Sequence, residues 1–381
     1  MDADGRTRLG ALVHLHPAVL TAKDLSGLAK SRARELGFAA SGISPASVPP
    51  SRAVALREWL ARGFHGGMRW MEDADRRIDP SRLLRGAKSV VMVALAYPAD
   101  PKRSVPGFAG PNPGAEAGGP AVPESGKPDS GAGAEGRSVP GFAGPNPGAG
   151  AGGPAVPESG SSGKVAAFAR GRDYHAVIGE RLRLLLADLV AAAGCRGKVC
   201  VDSSPLMEKA MAEQAGLGWI GRNSVLVCRA HGPWLLLGGV ILDVELEPDE
   251  PAAFGCGDCR RCMAACPTGA LVTEGMVDAR RCLACLTIEA RGPFPPDLEG
   301  YVGDRLFGCD ECLAACPFGP GEPSPAWEPR EVPAAAGFLA LDDGEFARKF
   351  GDTPMARAGR KGMARNAELV VRNRGTGGKR S

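Results

Sequence analysis

Apolar and polar positions follow two different periods in the first hundred residues. Residues 22–37 and 51–63 place apolar side chains at helical spacing beside a polar face, so each stretch predicts a surface helix. Residues 89–97 form a short apolar run rich in β-branched residues, which is typical of a buried strand. Pro98 ends this strand, because proline has no backbone N–H to donate.

A regular pattern resumes at Val165. Residues 176–193 have apolar positions at helical spacing and run up to Gly194, a suitable helix C-cap. Residues 198–201 predict a short strand that leads into Asp202.

The residues after Asp202 predict a second helix in this half of the chain. Ser203 and Ser204 are expected to cap it, with Pro205 near its first turn and Gly216 beyond its end.

Two further strands are predicted before the next domain. Residues 224–228 and 234–245 read as strands that residues 231–233 join into a hairpin. Helices and strands are therefore mixed and include an antiparallel element, which indicates an α+β fold. Pro248 and Pro251 mark the start of a new domain.

A segment rich in glycine and proline interrupts the first domain. Residues 103–126 recur almost unchanged as residues 137–160, with Gly150 in place of Glu116. A solenoid needs several apolar units to stack, whereas two copies without a periodic apolar face do not build one. We therefore predict that residues 101–163 are a disordered insert outside the fold.

Composition narrows the class of protein. The 381 residues suit two domains, and 44% hydrophobic residues are enough for a core. A net charge of +3 decides nothing about nucleic acid. The chain shows no signal peptide and no apolar run of the roughly 18 residues that a membrane span needs. Twelve cysteines in such a chain indicate metal binding in the cytoplasm and no membrane association.

Eight of these cysteines have the spacing of a bacterial two-cluster ferredoxin. The first run has the pattern CxxCxxCxxxCP, and the second half is split into one isolated cysteine and a CxxCxxxCP run. In such runs the cysteine before proline serves the other cluster. The first [4Fe–4S] cluster is thus assigned Cys256, Cys259, Cys262 and Cys316, and the second Cys266, Cys282, Cys309 and Cys312.

The other cysteines leave two questions open. A pair of four-cysteine zinc sites is the alternative use of CxxC motifs, but the two CxxxCP endings disfavour it. Cys285 follows Cys282 after two intervening residues, so the pair forms a further CxxC motif. Cys285 is either an alternative ligand or a free thiol near the second cluster. Cys195, Cys200 and Cys228 have the context of buried apolar cysteines.

Several motifs outside the cysteine runs resemble one known family. They are RGRDYH at 170–175, AEQAGLGWIGRN at 212–223 preceded by Asp202, Pro205 and Glu208, GFHG at 63–66 with Met68, and FGDT at 350–353 followed by RKG at 360–362 and Arg365-Asn366. Together with the split ferredoxin run, they resemble epoxyqueuosine reductase over most of residues 25–373, the insert excepted.

The resemblance implies a fold, an activity and cofactors. Members of this family reduce the epoxide of epoxyqueuosine at the tRNA wobble position, using base-off cobalamin and two [4Fe–4S] clusters that recharge cob(I)alamin. It implies a nitroreductase-like cobalamin-binding domain followed by a ferredoxin-like domain. The expected divisions are a flexible N-terminus at 1–22, a catalytic domain at 23–250, a cluster domain at 251–320 and a basic, tRNA-contacting segment at 321–381.

The resemblance also assigns residues. Asp202 matches the family's proposed proton donor, a role that calls for a pKa raised toward working pH; capping a helix is its alternative role. His175 is rejected as a cobalt ligand, because the DxHxxG pattern is absent, and is expected to contact the corrin or support a helix cap. Residues expected to bind the cofactor are Asp173, His175, Glu213, Gly216, Gly218, Trp219, Gly221, Arg222, Asn223, Ser224 and Cys285. At Cys285 the family usually has tyrosine, so its contact is open.

The C-terminal segment suggests a contact with tRNA. Residues 355–381 hold eight Lys or Arg against one acid, Glu368. Such residues can track phosphates while the modified base is splayed into a pocket, although a basic tail is often merely solvated. The predicted tRNA contacts are Arg291, Arg305, Arg360, Lys361 and Arg365.

Two other functions are weighed against this one. A cobalamin-dependent reductive dehalogenase shares the cofactors, but its usual twin-arginine export signal is absent here. A stand-alone iron–sulfur electron carrier would leave Asp202 and the glycine-rich loop without a role. We expect a monomer that receives electrons from a low-potential donor such as a flavodoxin or ferredoxin system.

Overall fold

The structure is a computed structural model that describes residues 20–99 and 163–375. Almost all of the predicted flexible N-terminus and of the Gly/Pro-rich insert lies outside the described residues, as do Lys379 and Arg380 of the basic segment.

The described chain contains helices, strands and short 3-10 turns in mixed order. The helices are α1 Ala22–Glu35, α2 Pro50–Ala61, α3 Ala74–Ile78, α4 Tyr174–Ala193, α5 Glu208–Gln214, α6 Arg261–Ala264, α7 Leu283–Ile288, α8 Glu299–Val302, α9 Glu311–Ala314, α10 Asp343–Phe350 and α11 Gly359–Gly375. The strands are β1 Ala40–Pro45, β2 Ser89–Ala96, β3 Lys164–Val165, β4 Gly197–Cys200, β5 Trp219–Ile220, β6 Leu226–Val227, β7 Leu235–Leu242, β8 Leu271–Thr273, β9 Met276–Val277 and β10 Arg305–Phe307.

A four-stranded antiparallel sheet forms the centre of the first domain. Its strand order is β1-β2-β7-β4. Every residue of β2 is buried, because helices cover both faces. Val91, Val93 and Leu95 pack with α1 and α4 on one face, whereas Val90 and Met92 pack with α5 on the other. This confirms the predicted buried strand and the α+β class.

The predicted hairpin at residues 224–245 is wrong. β6 pairs with β5, and β7 enters the central sheet between β2 and β4. The turn instead closes locally, through a bridge between Cys228 and Gly232, whose φ is +56°.

The predicted capping of α5 by serines is also wrong. The helix begins at Glu208, and its N-cap Met207 has no side-chain cap. The hydroxyl of Ser203 donates to the carbonyl of Val201, and Leu206 N–H donates to the carbonyl of Ser204. These turns occupy the residues between β4 and α5, so the serines stabilise a loop.

The cluster domain and the C-terminal segment share one hydrophobic core. Met363, Ala367 and Val370 of α11 are buried with Leu283 and Phe307. β3 of the first domain pairs in parallel with β10 of the cluster domain. The C-terminal segment is therefore a packed element over residues 355–375, and its contact with tRNA stays a prediction. Among the described residues, no helix combines the length and the apolar character that crossing a membrane requires.

Candidate active site and cluster centres

Two adjoining cavities lie where the central-sheet domain meets the cluster domain. Their volumes are about 800 Å³ and about 340 Å³, and Trp70, Arg77 and Asp202 line both. The smaller cavity is also lined by Met276 of β9, and the larger one by Glu289 next to α7. A ligand of the size bound by ordinary cofactor pockets can therefore lie between Asp202 and the cluster domain.

Asp202 lies on the loop after β4, where three neighbouring residues hold it. Its Oδ2 accepts a 2.7 Å hydrogen bond from the Tyr174 hydroxyl and lies 3.3 Å from Nε2 of His175. Its backbone N–H donates to Oε1 of Glu208 at 2.6 Å, and its φ is +44°. The side chain is 56% exposed because it faces the cavities. Asp202 does not cap a helix, so the alternative role considered above is wrong.

The charges around Asp202 lower its pKa. Burial alone would raise it, but the hydrogen bonds from His175 and Tyr174 outweigh burial. The sequence-based expectation of a raised pKa at Asp202 is therefore wrong. Burial and the nearby charge of Asp202 instead raise the pKa of Glu208 to about 8.

His175 lies in the first turn of α4, between two carboxylates. Its Nδ1 is 2.7 Å from Oδ1 of Asp173, the helix N-cap, and its ring stacks on Tyr174 at 4.1 Å. Burial lowers the pKa of His175, but Asp173 and Asp202 together raise it to about 9. Both ring nitrogens thus face carboxylates, in keeping with the exclusion of His175 as a cobalt ligand.

The first set of cluster cysteines converges across two sequence runs. Burial, together with the nearby thiols of Cys256, Cys262 and Cys259, raises the pKa of Cys316 to about 12. Cys262 likewise responds to burial, Cys256 and Cys259. The cysteine of the second run therefore lies near three of the first run, and their shared binding of one cluster stays a prediction.

In the second set, a cysteine of the first run lies near cysteines from further along the chain. Burial raises the pKa of Cys312, and Cys309, Cys282 and Cys266 add to the rise. Cys282 also feels Cys266, after burial. Among the described residues, no group of three or more His, Cys, Asp or Glu is arranged to hold a single ion.

The predicted cofactor-binding residues divide into two groups. Asp173 and His175 line the larger cavity and Ser224 the smaller one. The other predicted residues line neither cavity and have contacts within the protein. Glu213 pairs with Arg52, Gly216 and Gly218 lie against the carbonyls of Glu250 and Val227, and Gly221 lies beside Asn223. Trp219 contacts Cys256, Arg222 contacts Gly257, Asn223 donates to the Cys312 carbonyl, and Sγ of Cys285 lies 4.0 Å from Met68 Sδ. For this second group, contact with the cofactor stays a prediction.

Two of the five predicted tRNA contacts are used inside the protein. Arg305 pairs with Glu311, and its side chain is only 17% exposed. Arg365 donates to the carbonyls of Leu286, Ala290 and Gly292. Both guanidinium groups are engaged in these internal contacts, so their contact with tRNA stays a prediction that these contacts do not support.

The other three predicted tRNA contacts lie nearer the surface. Arg291 is exposed and donates to the carbonyls of Ile288 and Arg357. Arg360 pairs with Asp343, and Lys361 is exposed.

The sequence-based reading missed several site residues. Tyr174 and Glu208 hold Asp202, while Trp70, Arg77 and Arg357 line the larger cavity. Tyr174 and Glu208 lie within the quoted motifs, next to His175 and six residues after Asp202, so their positions were a usable signal. Nothing in the local sequence distinguishes Trp70 from a core residue.

Comparison with known proteins gives concordant matches. A family model described as a 4Fe-4S double cluster binding domain matches residues 255–319, and one described as epoxyqueuosine reductase QueG, DUF1730, matches residues 151–203. The chain is 33% identical to an epoxyqueuosine reductase of Xanthomonas campestris over 92% of this chain and 87% of that protein. It is 34% identical to one of Gloeobacter violaceus, over 90% and 94%.

Solved structures agree. A crystal structure of epoxyqueuosine reductase with an epoxyqueuosine-modified tRNA-Tyr stem loop matches with a TM-score of 0.73 at 28% identity, covering 93% of this chain and 82% of that one. A Bacillus subtilis epoxyqueuosine reductase, described with its aspartate catalytic loop swung out of the active site, matches with the same TM-score, identity and coverage.

Proposed function

The chain belongs to the epoxyqueuosine reductase family and is an oxidoreductase with a double [4Fe–4S] domain, and we propose that it reduces epoxyqueuosine at the tRNA wobble position with cobalamin as cofactor and Asp202 as proton donor. The observation that carries this proposal is the placement of Asp202. It faces two adjoining cavities whose walls come from both the catalytic and the cluster domain.

The reaction defines what the site must supply. Removing the epoxide oxygen as water, to leave an alkene, consumes two electrons and two protons. When bound, reduced cobalamin supplies a strong reductant, and the clusters deliver its electrons singly. The chain's own side chains have to position the substrate and hold a proton near the leaving oxygen.

The cavity residues fit a cofactor that carries polar groups at its edge. Lys209, Arg52 and Ser224 line the smaller cavity, and Nε of Arg77 is buried there without a hydrogen-bond partner among the described residues. Buried polar atoms normally have partners, so an unmet donor is consistent with a ligand at this wall.

The protonation states of His175 and Asp202 favour a proton that the two residues share. At neutral pH His175 is protonated and Asp202 ionised, because the pKa of the histidine is about 9 and that of the carboxyl is lowered. His175 therefore holds the proton and transfers it to the Asp202 carboxylate, and the resulting carboxylic acid protonates the leaving oxygen, while the second proton comes from solvent. The mobile aspartate loop described for the Bacillus subtilis enzyme supports a catalytic aspartate placed on a loop.

The substrate and the electron donor complete the proposal. A relative was crystallised with an epoxyqueuosine-modified stem loop, which supports tRNA as the substrate. Arg291, Arg360 and Lys361 are the predicted basic contacts that remain toward the surface. A low-potential flavodoxin or ferredoxin system would reduce the clusters of the monomer.

Reconstituted protein tests the proposal in two steps. Added cobalamin should bind and change the visible spectrum, and a reduced system should convert an epoxyqueuosine-containing anticodon stem-loop to the queuosine form. Failure to bind cobalamin would reject both corrin enzymes and leave the electron carrier. Binding without stem-loop turnover, together with loss of halide from an aryl halide, would favour the dehalogenase.

A further inference from the structure

Trp70 is an exposed aromatic side chain at the active site. It is 48% exposed and lines both cavities next to Asp202. Trp219 and Trp234 are 2% and 3% exposed, and Trp59 and Trp327 are partly buried. Of the five tryptophans of the chain, Trp70 therefore exposes much of its apolar surface to solvent beside a cavity. Its position on the walls of both cavities, next to Asp202, makes this ring a candidate ligand surface.

Two guanidinium groups accompany this ring. Cζ of Arg77 lies 5.1 Å and Cζ of Arg357 5.8 Å from the ring centroid, each in cation–π geometry. Arg77 also donates to the Trp70 carbonyl at 3.0 Å. Nε and Nη2 of Arg357, on one edge of its guanidinium, donate to the carboxylate of Glu289, which holds the guanidinium plane. The ring and the Arg357 guanidinium thus form a preorganised pair at the cavity wall.

Two further arginines lie close to the pair in sequence. Arg69 and Arg76 are exposed, and Arg76 lines the larger cavity. The three acids of this stretch have other contacts: Asp73 caps α3, Glu72 lies 3.4 Å from His65, and Asp75 pairs with Arg57. A flat aromatic surface flanked by arginines is the arrangement that binds an unstacked base while contacting its phosphates.

We propose that Trp70, with Arg357, is the stacking platform for the splayed wobble base of the tRNA substrate. This inference rests on the proposed function and adds the residue that recognises the base. A platform beside Asp202 brings the ring system of the base to the cavities and leaves its epoxide-bearing substituent to reach the proton donor.

Binding of matched stem-loops tests the platform. In the reconstituted holoenzyme, Trp70→Ala should weaken binding of the epoxyqueuosine stem-loop about tenfold to a hundredfold, and Trp70→Phe much less. A stem-loop that is abasic at the wobble position should bind wild type and Trp70→Ala equally. Tyr301→Ala removes an aromatic of similar exposure (42%) on α8 and should leave both affinities unchanged.

The outcomes separate the platform from the proposed function. Equal binding of the modified stem-loop by wild type and Trp70→Ala would overturn the platform. So would an equal loss for the abasic stem-loop, or a loss of cobalamin retention without a change in RNA affinity. If wild type itself neither binds nor reduces the modified stem-loop, the proposed function fails instead.

Discussion

The hydroxyl of Tyr174 donates a 2.7 Å hydrogen bond to Oδ2 of Asp202, across the gap between the start of α4 and the loop after β4. Tyr174 is buried, and burial raises its pKa far above the ordinary value, so it stays a donor. This contact orients the Asp202 carboxylate from the interior of the protein, and the remainder of the carboxylate faces the cavities.

Substitutions at this pair should separate proton donation from positioning. Asp202→Asn should lower single-turnover reduction of the epoxide about a hundredfold or more, because the amide cannot donate a carboxylic proton. Tyr174→Phe should cost about tenfold, through loss of one charge-assisted hydrogen bond. Visible and EPR spectra of both variants should show intact clusters. Wild-type rates in Asp202→Asn would remove Asp202 from the mechanism.

His175 should give the reaction its alkaline limit. Asp173 and Asp202 raise its pKa from 6.5 to about 9, so the protonated form dominates below that value and is lost above it. The rate should therefore fall as pH rises through about 9. The ion pair stabilises the fold fully below pH 6.5, and this contribution is lost over the same rise to about 9. The measurement is the single-turnover rate against pH.

The glutamine variant provides the matched comparison. His175→Gln keeps a polar side chain but carries no titrating proton, so its lower rate should be independent of pH near 9. An unchanged alkaline limb in this variant would assign the limb to another group.

Glu208 should hold the Asp202 loop in place. Asp202 has φ of +44°, an unusual conformation for a residue with a side chain, and Glu208 accepts its N–H. Glu208→Gln keeps a carbonyl acceptor and should retain most activity, whereas Glu208→Ala should lose about tenfold. Hydrogen exchange at residues 201–207 should rise in the alanine variant alone. Glu180→Ala, at an exposed pair with Arg172, is the control. Unchanged exchange in Glu208→Ala would contradict this role.

The fold was predictable where the pattern is local. The run at 89–97 reads as a buried strand because both faces of β2 are covered, and Gly194 marks the end of α4 with φ of +62°. The partner of β7 was not predictable, since strand pairing depends on contacts distant in sequence. The hairpin expectation failed for that reason.

The site was predictable only in part. Asp202 and the cysteine sets follow from motif and spacing. The raised pKa expected at Asp202 depends on its neighbours, and Tyr174 and His175 reverse it. The glycine-rich loop was assigned to the cofactor, yet Arg222 and Asn223 contact the cluster domain. Local composition does not show which domain a loop packs against.

The exchange of ligands between the two cysteine runs predicts an unexpected phenotype. Cys266 lies in the first run but adjoins Cys282 and Cys312. Cys266→Ser should therefore perturb the second cluster and spare the first, as resolved by EPR of the reduced protein and by iron content. Cys285→Ser should keep both clusters. Loss of the second cluster in Cys285→Ser would make this thiol a ligand.

Trp219 should tune the first cluster. Its indole Nε1 lies 3.3 Å from Sγ of Cys256, and its ring packs edge-on against Phe318, 5.1 Å away and close to Cys316 in sequence. A hydrogen bond to a cluster sulfur withdraws electron density and raises the reduction potential. Trp219→Phe keeps an aromatic ring but removes the donor, so the potential of the first cluster should become more negative while that of the second stays unchanged. Potentiometric titration followed by EPR measures both.

Phe318→Leu changes the packing on the same ring without removing the donor and should shift the potential less. An equal shift in the two variants would assign the effect to packing, and no shift in Trp219→Phe would show that the indole N–H does not act on the cluster.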